Sequence, residues 1–469
     1  MFTLADILES TGHDRGNGKA MIFAEAVVDS RLAVPAGLFA AMPGENADGH
    51  NFIGAAFKNG ARAALIEHDV DPAFPVMDLR KSASQVSMPE GQFCIRVENT
   101  LKALQDLAAL RRSQHPLKVI GITGSVGKST TKELVAEVVS QKYRTLKNLG
   151  NQNNEIGLPL TLLRLGNSHE CAVLEMGFYV PGEIAQLCEI ARPQVGIVTN
   201  IGTVHAERAG SQEIIARGKA ELVQALPVDG TAILNFDDPL VKAMADQTKA
   251  RVFSYGLDPS FDLWADEIEG LGLSGIRLRL HYDGVSASLR VPLVGRHSVH
   301  TVLRAAAAGL AEGLSWGQIQ NGLTHSASQL RLIAVHTRQG ALLLDDSYNA
   351  SPESTLAALN LLNELQGRKI AVLGGMFELG QYEQKGHELV GARAAGIADS
   401  LITFGDHARM IADAAVRSGM PAARMNHFDD ISTVVDFLQS TLEQGDVVLI
   451  KGSHGLRMDR IVAALEEEE

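Results

Sequence analysis

The run over residues 118–131 constrains the fold more than any other stretch of this chain. An apolar strand pattern leads into a glycine-rich turn, and Lys128 and Ser129 then open a helix pattern. Gly124 and Gly127 let the backbone approach a ligand closely, while the N–H groups at the helix start form a cradle for phosphate oxygens. The order of strand, turn and helix predicts a nucleoside triphosphate site on an α/β domain.

Two side chains of this run predict a specific chemistry. In loops of this kind the lysine, here Lys128, reaches the outer phosphates, and the hydroxyl of Ser129 is positioned to bind magnesium. The strict motif is not met, because its first glycine would fall on Ile122, and a glycine turn with a surface lysine is the alternative. The predicted nucleotide contacts of the loop are Thr123, Gly124, Ser125, Val126, Gly127, Lys128, Ser129 and Thr130.

Length and composition narrow the class of protein. With 469 residues the chain exceeds one ordinary core, so we expect several domains. The formal net charge of −13 disfavours nucleic acid as a partner. Cys94, Cys171 and Cys188 lack paired spacing and read as small buried residues in a reducing compartment. The sequence shows neither a secretory pattern nor a long apolar window, which favours the cytoplasm and no stable membrane association.

Strand and helix patterns alternate along most of the chain. Over residues 116–325 the alternation predicts βαβ units in a mainly parallel sheet, which the alternating pattern of 273–293 extends with antiparallel strands. A further α/β pattern fills 326–469, and a smaller one fills 1–115. The final acidic run, 466–469, is expected to be a frayed helix end.

Polar residues at predicted strand ends are candidates for chemistry. Glu175 ends an apolar strand, where the carboxyl edge of a parallel sheet lines the ligand crevice, and it could bind magnesium; an exposed loop glutamate is the alternative. His205 follows the next strand. Asn153 and Asn154 lie among glycines, where they either form turns or offer amides to a polar ligand. Lys219 lies on an amphipathic helix, and pattern alone predicts that it is solvated.

The chain resembles the Mur ligase family over nearly its whole length. Motifs that are weak singly occur in the family's order: Asp29-Ser-Arg31, Asp48-Gly-His-Asn-Phe52, Thr123 to Thr130, Asn153-Asn-Glu-Ile-Gly157, Leu174-Glu-Met-Gly177, Asn200-Ile-Gly-x-x-His205, Ala216-Arg-Gly-Lys219, Asp345-Asp-Ser-Tyr-Asn349 and Lys451-Gly-Ser453. The Asp345-Asp-Ser-Tyr-Asn349 motif, followed by Leu373 to Gly380, favours the family member that adds D-alanyl-D-alanine.

The resemblance implies three domains. The first, 1–115, would be a small α/β domain that holds a UDP-sugar. The second, 116–325, would be the P-loop ATPase, and the third, 326–469, a Rossmann-like α/β domain. The implied reaction uses ATP and magnesium to activate the carboxylate of a UDP-muramyl tripeptide, which then forms an amide with D-alanyl-D-alanine for peptidoglycan synthesis.

Residue roles follow from the same resemblance. Lys219 would be carbamylated and, with His205, would support a second magnesium ion, which reverses the solvated reading from the pattern alone. Nucleotide contacts would come from Asp346, Asn349 and Arg331, and Ser30 and Arg31 would bind the UDP-sugar, with Asn153 and Asn154 as further substrate candidates. The protein is expected to act as a monomer.

Departures from the family pattern leave alternatives open. Ser298 and Thr301 stand where the family has asparagines, so the sequence does not define the adenine contacts. Another Mur-type ligase, a folylpolyglutamate synthase-like amide ligase and a P-loop ATPase that forms no bond remain the alternative functions. The third residue of the peptide, diaminopimelate or lysine, is also undefined.

Overall fold

The computed structural model describes the chain in six segments: residues 1–15, 21–44, 47–81, 89–204, 206–325 and 333–466. These segments form two compact units. The first comprises Met1–Gly121, Tyr143–Gly177 and Gly182–Gln194; the second comprises Ile122–Lys142, Phe178–Pro181 and Val195–Glu469. Among the described helices, none is both long and apolar enough to cross a membrane.

The N-terminal part of the first unit is a small parallel sheet with helices. Its elements are β1 (Phe2–Thr3), α1 (Leu4–Ser10), β2 (Ile22–Phe23), β3 (Ala26–Val27), β4 (Gly37–Ala40), α2 (Ile53–Lys58), β5 (Ala61–Ile66), β6 (Val76–Asp78), β7 (Phe93–Arg96) and α3 (Thr100–Ser113). Strands β3 to β7 pair in parallel in the order β3-β4-β5-β7-β6. Their side chains bury an apolar core that includes Phe39, Ala64 and Ile66.

The middle stretch alternates strands and helices as the sequence predicts. Its elements are β8 (Lys118–Thr123), α4 (Lys128–Val139), β9 (Thr145–Lys147), α5 (Gly157–Leu163), β10 (Cys171–Glu175), α6 (Glu183–Ala191), β11 (Val195–Val198), α7 (Ala206–Ala209), α8 (Gln212–Gln224), β12 (Thr231–Asn235), α9 (Pro239–Lys242), β13 (Arg251–Gly256), β14 (Leu263–Gly270), β15 (Ile276–Tyr282), β16 (Val285–Val291), α10 (Val299–Ala311) and α11 (Trp316–Thr324). In the first unit β9 and β10 are parallel. In the second, β11 to β14 are parallel, and β15 and β16 extend them in antiparallel fashion.

The C-terminal part of the second unit is a parallel sheet with an antiparallel edge. Its elements are β17 (Ile333–His336), β18 (Leu342–Asp345), α12 (Pro352–Glu364), β19 (Lys369–Gly374), α13 (Glu383–Ala395), β20 (Ser400–Phe404), α14 (Arg409–Arg417), β21 (Met425–Phe428), α15 (Ile431–Thr441), β22 (Val447–Lys451) and α16 (Asp459–Leu465). The strand order is β17-β18-β22-β19-β20-β21, and only the β17 edge is antiparallel within the described residues.

Alternation along these buried strands explains why helices cover both faces of the sheet. In β19, Ile370 and Val372 pack into one apolar core, whereas Ala371 and Leu373 pack into the other. Successive strand side chains point to opposite faces, so an uninterrupted apolar strand must be covered on both sides. The C-terminal part is therefore a doubly covered α/β sheet.

The fold class and the mainly parallel sheets are confirmed. The antiparallel extension predicted for residues 273–293 is β15 and β16. The acidic run was expected to be a frayed, solvated helix end: Glu466 directly follows α16 and is exposed, but it forms an antiparallel bridge with Thr337 and so is not frayed. The rest of that acidic run lies outside the described residues. The three cysteines form no disulfide among the described residues, and all three are buried, as expected.

An ion pair between a buried carboxylate, Asp446, and a partly exposed arginine, Arg368, links the residues that precede β22 and β19 in the C-terminal sheet. Asp446 is 3% exposed and accepts hydrogen bonds from Arg368 Nε at 2.9 Å and from the Glu443 N–H at 2.8 Å. Burial alone would raise the pKa of Asp446, but the hydrogen bonds from Arg368 and Glu443 outweigh it and lower the pKa. The ionised form is therefore the one that the fold stabilises.

We predict that Asp446→Ala lowers the free energy of unfolding by about 1–3 kcal/mol near neutral pH, because charged hydrogen bonds are lost and donors are left unpaired. The folded-state pKa of Asp446 lies below the unfolded one, so the contribution is lost as pH falls through that lower value. Thermal unfolding should therefore show a gap between parent and variant that narrows below about pH 4.

The matched control is Asp459→Ala. Asp459 also pairs with an arginine, Arg457, at 2.9 Å, but both side chains are about half exposed, at 51% and 52%. Exposed ion pairs contribute about 0–1 kcal/mol to the free energy of unfolding. Equal destabilisation by the two variants would show that burial of the Asp446 carboxylate is unimportant.

Candidate active site

The glycine-rich loop between β8 and α4 is shaped by close backbone contacts. Gly124 has φ +141°, and a Cβ built on it would lie 1.8 Å from Thr199 Oγ1. Gly127, with φ +82°, precedes the first residue of α4. Both positions require glycine, because other residues rarely adopt such φ angles and the first has no room for a side chain. The N–H groups at the start of α4 are thereby placed beside an open cradle.

The segment after β11 holds this loop in place. Thr199 Oγ1 donates to the Val126 carbonyl at 2.8 Å, and Asn200 Oδ1 accepts from the Val126 N–H at 2.9 Å. The Gly202 N–H donates to Ser125 Oγ at 2.8 Å. The sequence marked Asn200 only as part of a motif and did not mark Thr199 at all. Their contacts show that the cradle is preformed by a neighbouring strand end.

Two lysines converge on one carbonyl oxygen of this loop. Lys128 Nζ donates to the Gly124 carbonyl at 2.9 Å, and Lys219 Nζ donates to the same oxygen at 3.0 Å. Lys219 is 1% exposed on α8, and its ammonium lies 4.8 Å from the centre of the Phe178 ring. The solvated position that the helix pattern predicted for Lys219 is therefore wrong.

The loop faces a cavity of about 360 Å³ inside the second unit. Ser125, Val126, Gly127, Lys128, Ser129 and Thr130 all line it, and so do Asp346 and Asn349 from the C-terminal part. The structure thus brings most of the predicted nucleotide contacts together. Thr123 is fully buried at the end of β8, where its carbonyl accepts from the Thr199 N–H at 2.9 Å.

A buried lysine that sequence reasoning did not assign to the site positions Asp346. Lys451, at the end of β22, is 2% exposed, and its Nζ donates to Asp346 Oδ2 at 2.7 Å and to the Asn349 carbonyl at 2.8 Å. The only sequence signal was its place in a family motif. This contact fixes the segment that carries both predicted nucleotide residues.

The α10 side of the cavity carries the positions where the family has asparagines. Ser298 Oγ donates to the Val294 carbonyl at 2.7 Å, and Thr301 Oγ1 accepts from Arg304 Nη2 at 2.8 Å. Burial and the charge of Arg304 lower the pKa of His300 to about 4, so this ring is neutral at neutral pH. Both substituted side chains thus have hydrogen-bond partners within the protein.

Glu175 is a buried carboxylate in the first unit. It is 2% exposed, and Oε1 accepts from Asn153 Nδ2 at 2.8 Å. Among the described residues, Oε2 has no hydrogen-bond partner. The exposed-loop alternative for Glu175 is therefore wrong. The neighbouring Asn154 has a structural contact: its Oδ1 accepts from the Gly157 N–H at 2.9 Å at the start of α5.

Ser30 and Arg31 lie in a short turn of the N-terminal sheet. Asp29 begins this turn and pairs with Arg31 Nη2 at 2.7 Å, which lowers the pKa of Asp29 to about 2. The side chain of Arg31 is 86% exposed, whereas Ser30 is buried and its carbonyl accepts from Asn59 Nδ2 at 2.9 Å. The predicted sites His205 and Arg331 lie outside the described residues.

The family follows from comparison with known proteins. Three family models match the chain: "Mur ligase family, catalytic domain" over residues 27–112, "Mur ligase middle domain" over 122–309, and "Mur ligase, glutamate ligase domain" over 330–454. A relative that is 38% identical covers nearly the whole chain. The chain belongs to the Mur ligase family, and it has the family's three-domain α/β fold.

The relatives have a common name. The 38% identical protein, from Synechocystis, is UDP-N-acetylmuramoyl-tripeptide–D-alanyl-D-alanine ligase, and the match covers 94% of this chain and 91% of that relative. The MurF structure from Acinetobacter baumannii is 30% identical, with TM-score 0.85, over 100% of this chain and 99% of that one. The Thermotoga maritima MurF structure, a complex with ADP, is 26% identical, with TM-score 0.79, over 95% and 98%.

We predict that Gly124→Ala destabilises the loop. The added Cβ would meet Thr199 Oγ1 at 1.8 Å and Thr199 Cβ at 2.9 Å, so strand ends must separate. Unfolding free energy should fall by about 2–4 kcal/mol from overpacking and backbone strain together. Gly419→Ala is the matched control, since its φ is +95° but its Cβ would meet no described atom within 4 Å. Equal thermal shifts for the two variants would contradict the steric argument.

Proposed function

We propose that this protein is an ATP-dependent ligase that joins D-alanyl-D-alanine to UDP-N-acetylmuramoyl-tripeptide in peptidoglycan precursor synthesis. The observation that carries the proposal is the full-length match to relatives of that name, together with a P-loop cavity that residues of the C-terminal part also line. We infer that the nucleotide occupies this cavity, as the complex of one relative with ADP supports.

The reaction needs a carboxylate to become an electrophile. The terminal carboxylate of the tripeptide attacks the γ-phosphorus of ATP, which releases ADP and forms an acyl phosphate. The amine of D-alanyl-D-alanine then attacks the acyl carbon, loses a proton and expels phosphate. Lys128 would neutralise charge on the transferred phosphoryl group, and the N–H groups at the start of α4 would hold the phosphates.

Magnesium fits the donors that are present. The Oε2 atom of Glu175 has no described hydrogen-bond partner although it is buried, and a buried carboxylate oxygen without a partner favours a cation. We assign Glu175 and the hydroxyl of Ser129 to magnesium, which prefers oxygen ligands. A bound ion would supply charge neutralisation during phosphoryl transfer.

The environment of Lys219 supports carbamylation. Two amines donate to the same Gly124 oxygen, so two ammonium groups there would repel each other. A carbamate forms when the neutral Lys219 amine attacks carbon dioxide and loses a proton, which replaces one of these positive charges with a negative one. The product would act with His205 as ligands for a second magnesium ion.

The remaining roles extend the same proposal. From the C-terminal part, Asp346, Asn349 and Arg331 would contact the nucleotide; in the first domain, Ser30 and Arg31 would contact the UDP-sugar. Asn153 and Asn154 stay substrate candidates. We propose domain boundaries at 115/116 and 325/326, and an enzyme that acts as a monomer in the cytoplasm.

We predict that phosphate release depends on every substrate. Release should require ATP, UDP-muramyl tripeptide and D-alanyl-D-alanine together, because acyl phosphate is consumed only by the amine. A coupled phosphate assay in which each substrate is omitted in turn checks this. The matched control is Lys128→Ala, which should release almost no phosphate while its melting curve stays close to the parent's. Undiminished hydrolysis without either acceptor would indicate a P-loop ATPase instead.

We predict that the carbamate at Lys219 is detectable and replaceable. Protein equilibrated with ¹³C-bicarbonate should show a carbamate carbon signal that is missing from Lys219→Ala. That variant should lose most activity and regain part of it with added acetate, whereas Lys219→Arg should not be rescued. Lys132→Ala is the matched control, because Lys132 is also 1% exposed, and acetate should leave its activity unchanged. Full activity in Lys219→Ala, or a signal that survives the substitution, would refute the carbamate.

A further inference from the structure

A buried arginine lines the α10 wall of the cavity. Arg304 is 4% exposed, and its Nη2 donates to Thr301 Oγ1 at 2.8 Å, while Nη1 donates to the Thr199 carbonyl at a long 3.4 Å. Among the described residues, its guanidinium forms no ion pair with a carboxylate, and Nε has no hydrogen-bond partner. Sequence patterns predicted no role for Arg304.

A buried arginine without a carboxylate partner destabilises the folded protein unless an anion binds nearby. Moving a charged group out of water costs several kcal/mol, and the cost is offset only by a counter-charge and full hydrogen bonding. Described carboxylates that line the cavity already have partners: Asp346 pairs with Lys451 at 2.7 Å, and Glu353 accepts from the Thr203 N–H at 3.3 Å. The cavity thus contains a buried positive charge that has no carboxylate partner among the described residues.

The position of Arg304 indicates which anion binds to it. A Cβ built on Gly127 would lie 3.4 Å from Arg304 Nη2, so the guanidinium borders the turn that starts α4. Backbone N–H groups of such turns hold the α- and β-phosphates of a nucleotide. We propose that Arg304 binds an α- or β-phosphate oxygen of the nucleotide and is a major determinant of its affinity. This inference rests on the proposed nucleotide use of the cavity.

The residues beside Arg304 in the α10 wall are consistent with phosphate binding by its guanidinium. Thr301, at one of the positions where the family pattern has asparagine, accepts a hydrogen bond from Arg304 and so orients the guanidinium. His300 is neutral near pH 7, since its pKa is lowered to about 4, and therefore adds no competing charge. Arg304 is thus the permanent cation of this wall.

The test is equilibrium binding without the other substrates. ADP and adenosine are titrated into the full-length parent, Arg304→Met and Arg304→Lys by calorimetry, at about 0.15 M and about 0.5 M salt. The Met variant should bind ADP about ten- to a hundredfold more weakly, with adenosine affinity unchanged, because a charge-assisted hydrogen bond to phosphate is lost. The Lys variant keeps the charge and should fall between the two.

A matched control separates binding from packing. Arg112 is also buried, at 6% exposed, but its guanidinium donates to backbone carbonyls, including Ala191 at 2.8 Å and His115 at 2.9 Å. Arg112→Met should lower the melting temperature without changing the ADP affinity. If Arg304→Met does not fold, the Lys variant, which retains length and charge, still reports through its ADP-to-adenosine ratio.

The outcomes are distinguishable. A parent that fails to bind ADP would refute the nucleotide site itself, and the inference with it. A parent that binds ADP, with folded Arg304 variants that bind it equally well, would refute the inference alone. Equal loss of ADP and adenosine affinity would also refute it, because that result indicates general damage to the cavity.

Discussion

The convergence of Lys128 and Lys219 on the Gly124 carbonyl is the interaction on which the rest of the candidate site depends. It exists because Gly124 brings the loop against Thr199, which leaves the carbonyl pointing to both amines. Two ammonium groups around one neutral oxygen repel each other. Negative charge on a bound phosphate, or on a carbamate at Lys219, would reduce this repulsion.

The C-terminal part contributes because it is anchored to the elements that carry these amines. The Gln381 amide donates to the Gly210 carbonyl at 3.1 Å, and the Glu207 N–H donates to the Glu378 carbonyl at 3.2 Å, next to the helix that carries Lys219. Lys451 then fixes Asp346 from within the sheet. Loop contacts on one side and a buried strand end on the other place the C-terminal residues at the cavity, with the P-loop opposite them.

Local sequence patterns predicted the strands, the P-loop helix and the site residues that lie on them, since strand alternation and the strand–turn–helix order are encoded within a few residues. These patterns failed where contacts between distant parts of the chain determine the position of a side chain. Lys219 is buried because Gly218 lets the Phe178 ring pack against its helix, where a Cβ would lie 2.0 Å from the ring. Thr199 gave no signal because its partner Val126 lies 73 residues away. Arg304 gave none because it faces a cavity that only the fold creates.

The same reasoning explains how the family's asparagines can be absent while the cavity is retained. Contacts to an adenine are neutral hydrogen bonds, each worth about 1 kcal/mol, whereas hydrogen bonds to a charged group are worth about 1.5–3 kcal/mol. Where Ser298 and Thr301 replace amides, the hydrogen bonds lost to the base contribute little to the free energy of nucleotide binding. Ser298 Oγ already donates a hydrogen bond to the Val294 carbonyl. A guanidinium beside the phosphate cradle would contribute a larger binding free energy. Nucleotide affinity can therefore shift from the base to the phosphates through side chains alone, those of Ser298 before α10 and of Thr301 and Arg304 on it.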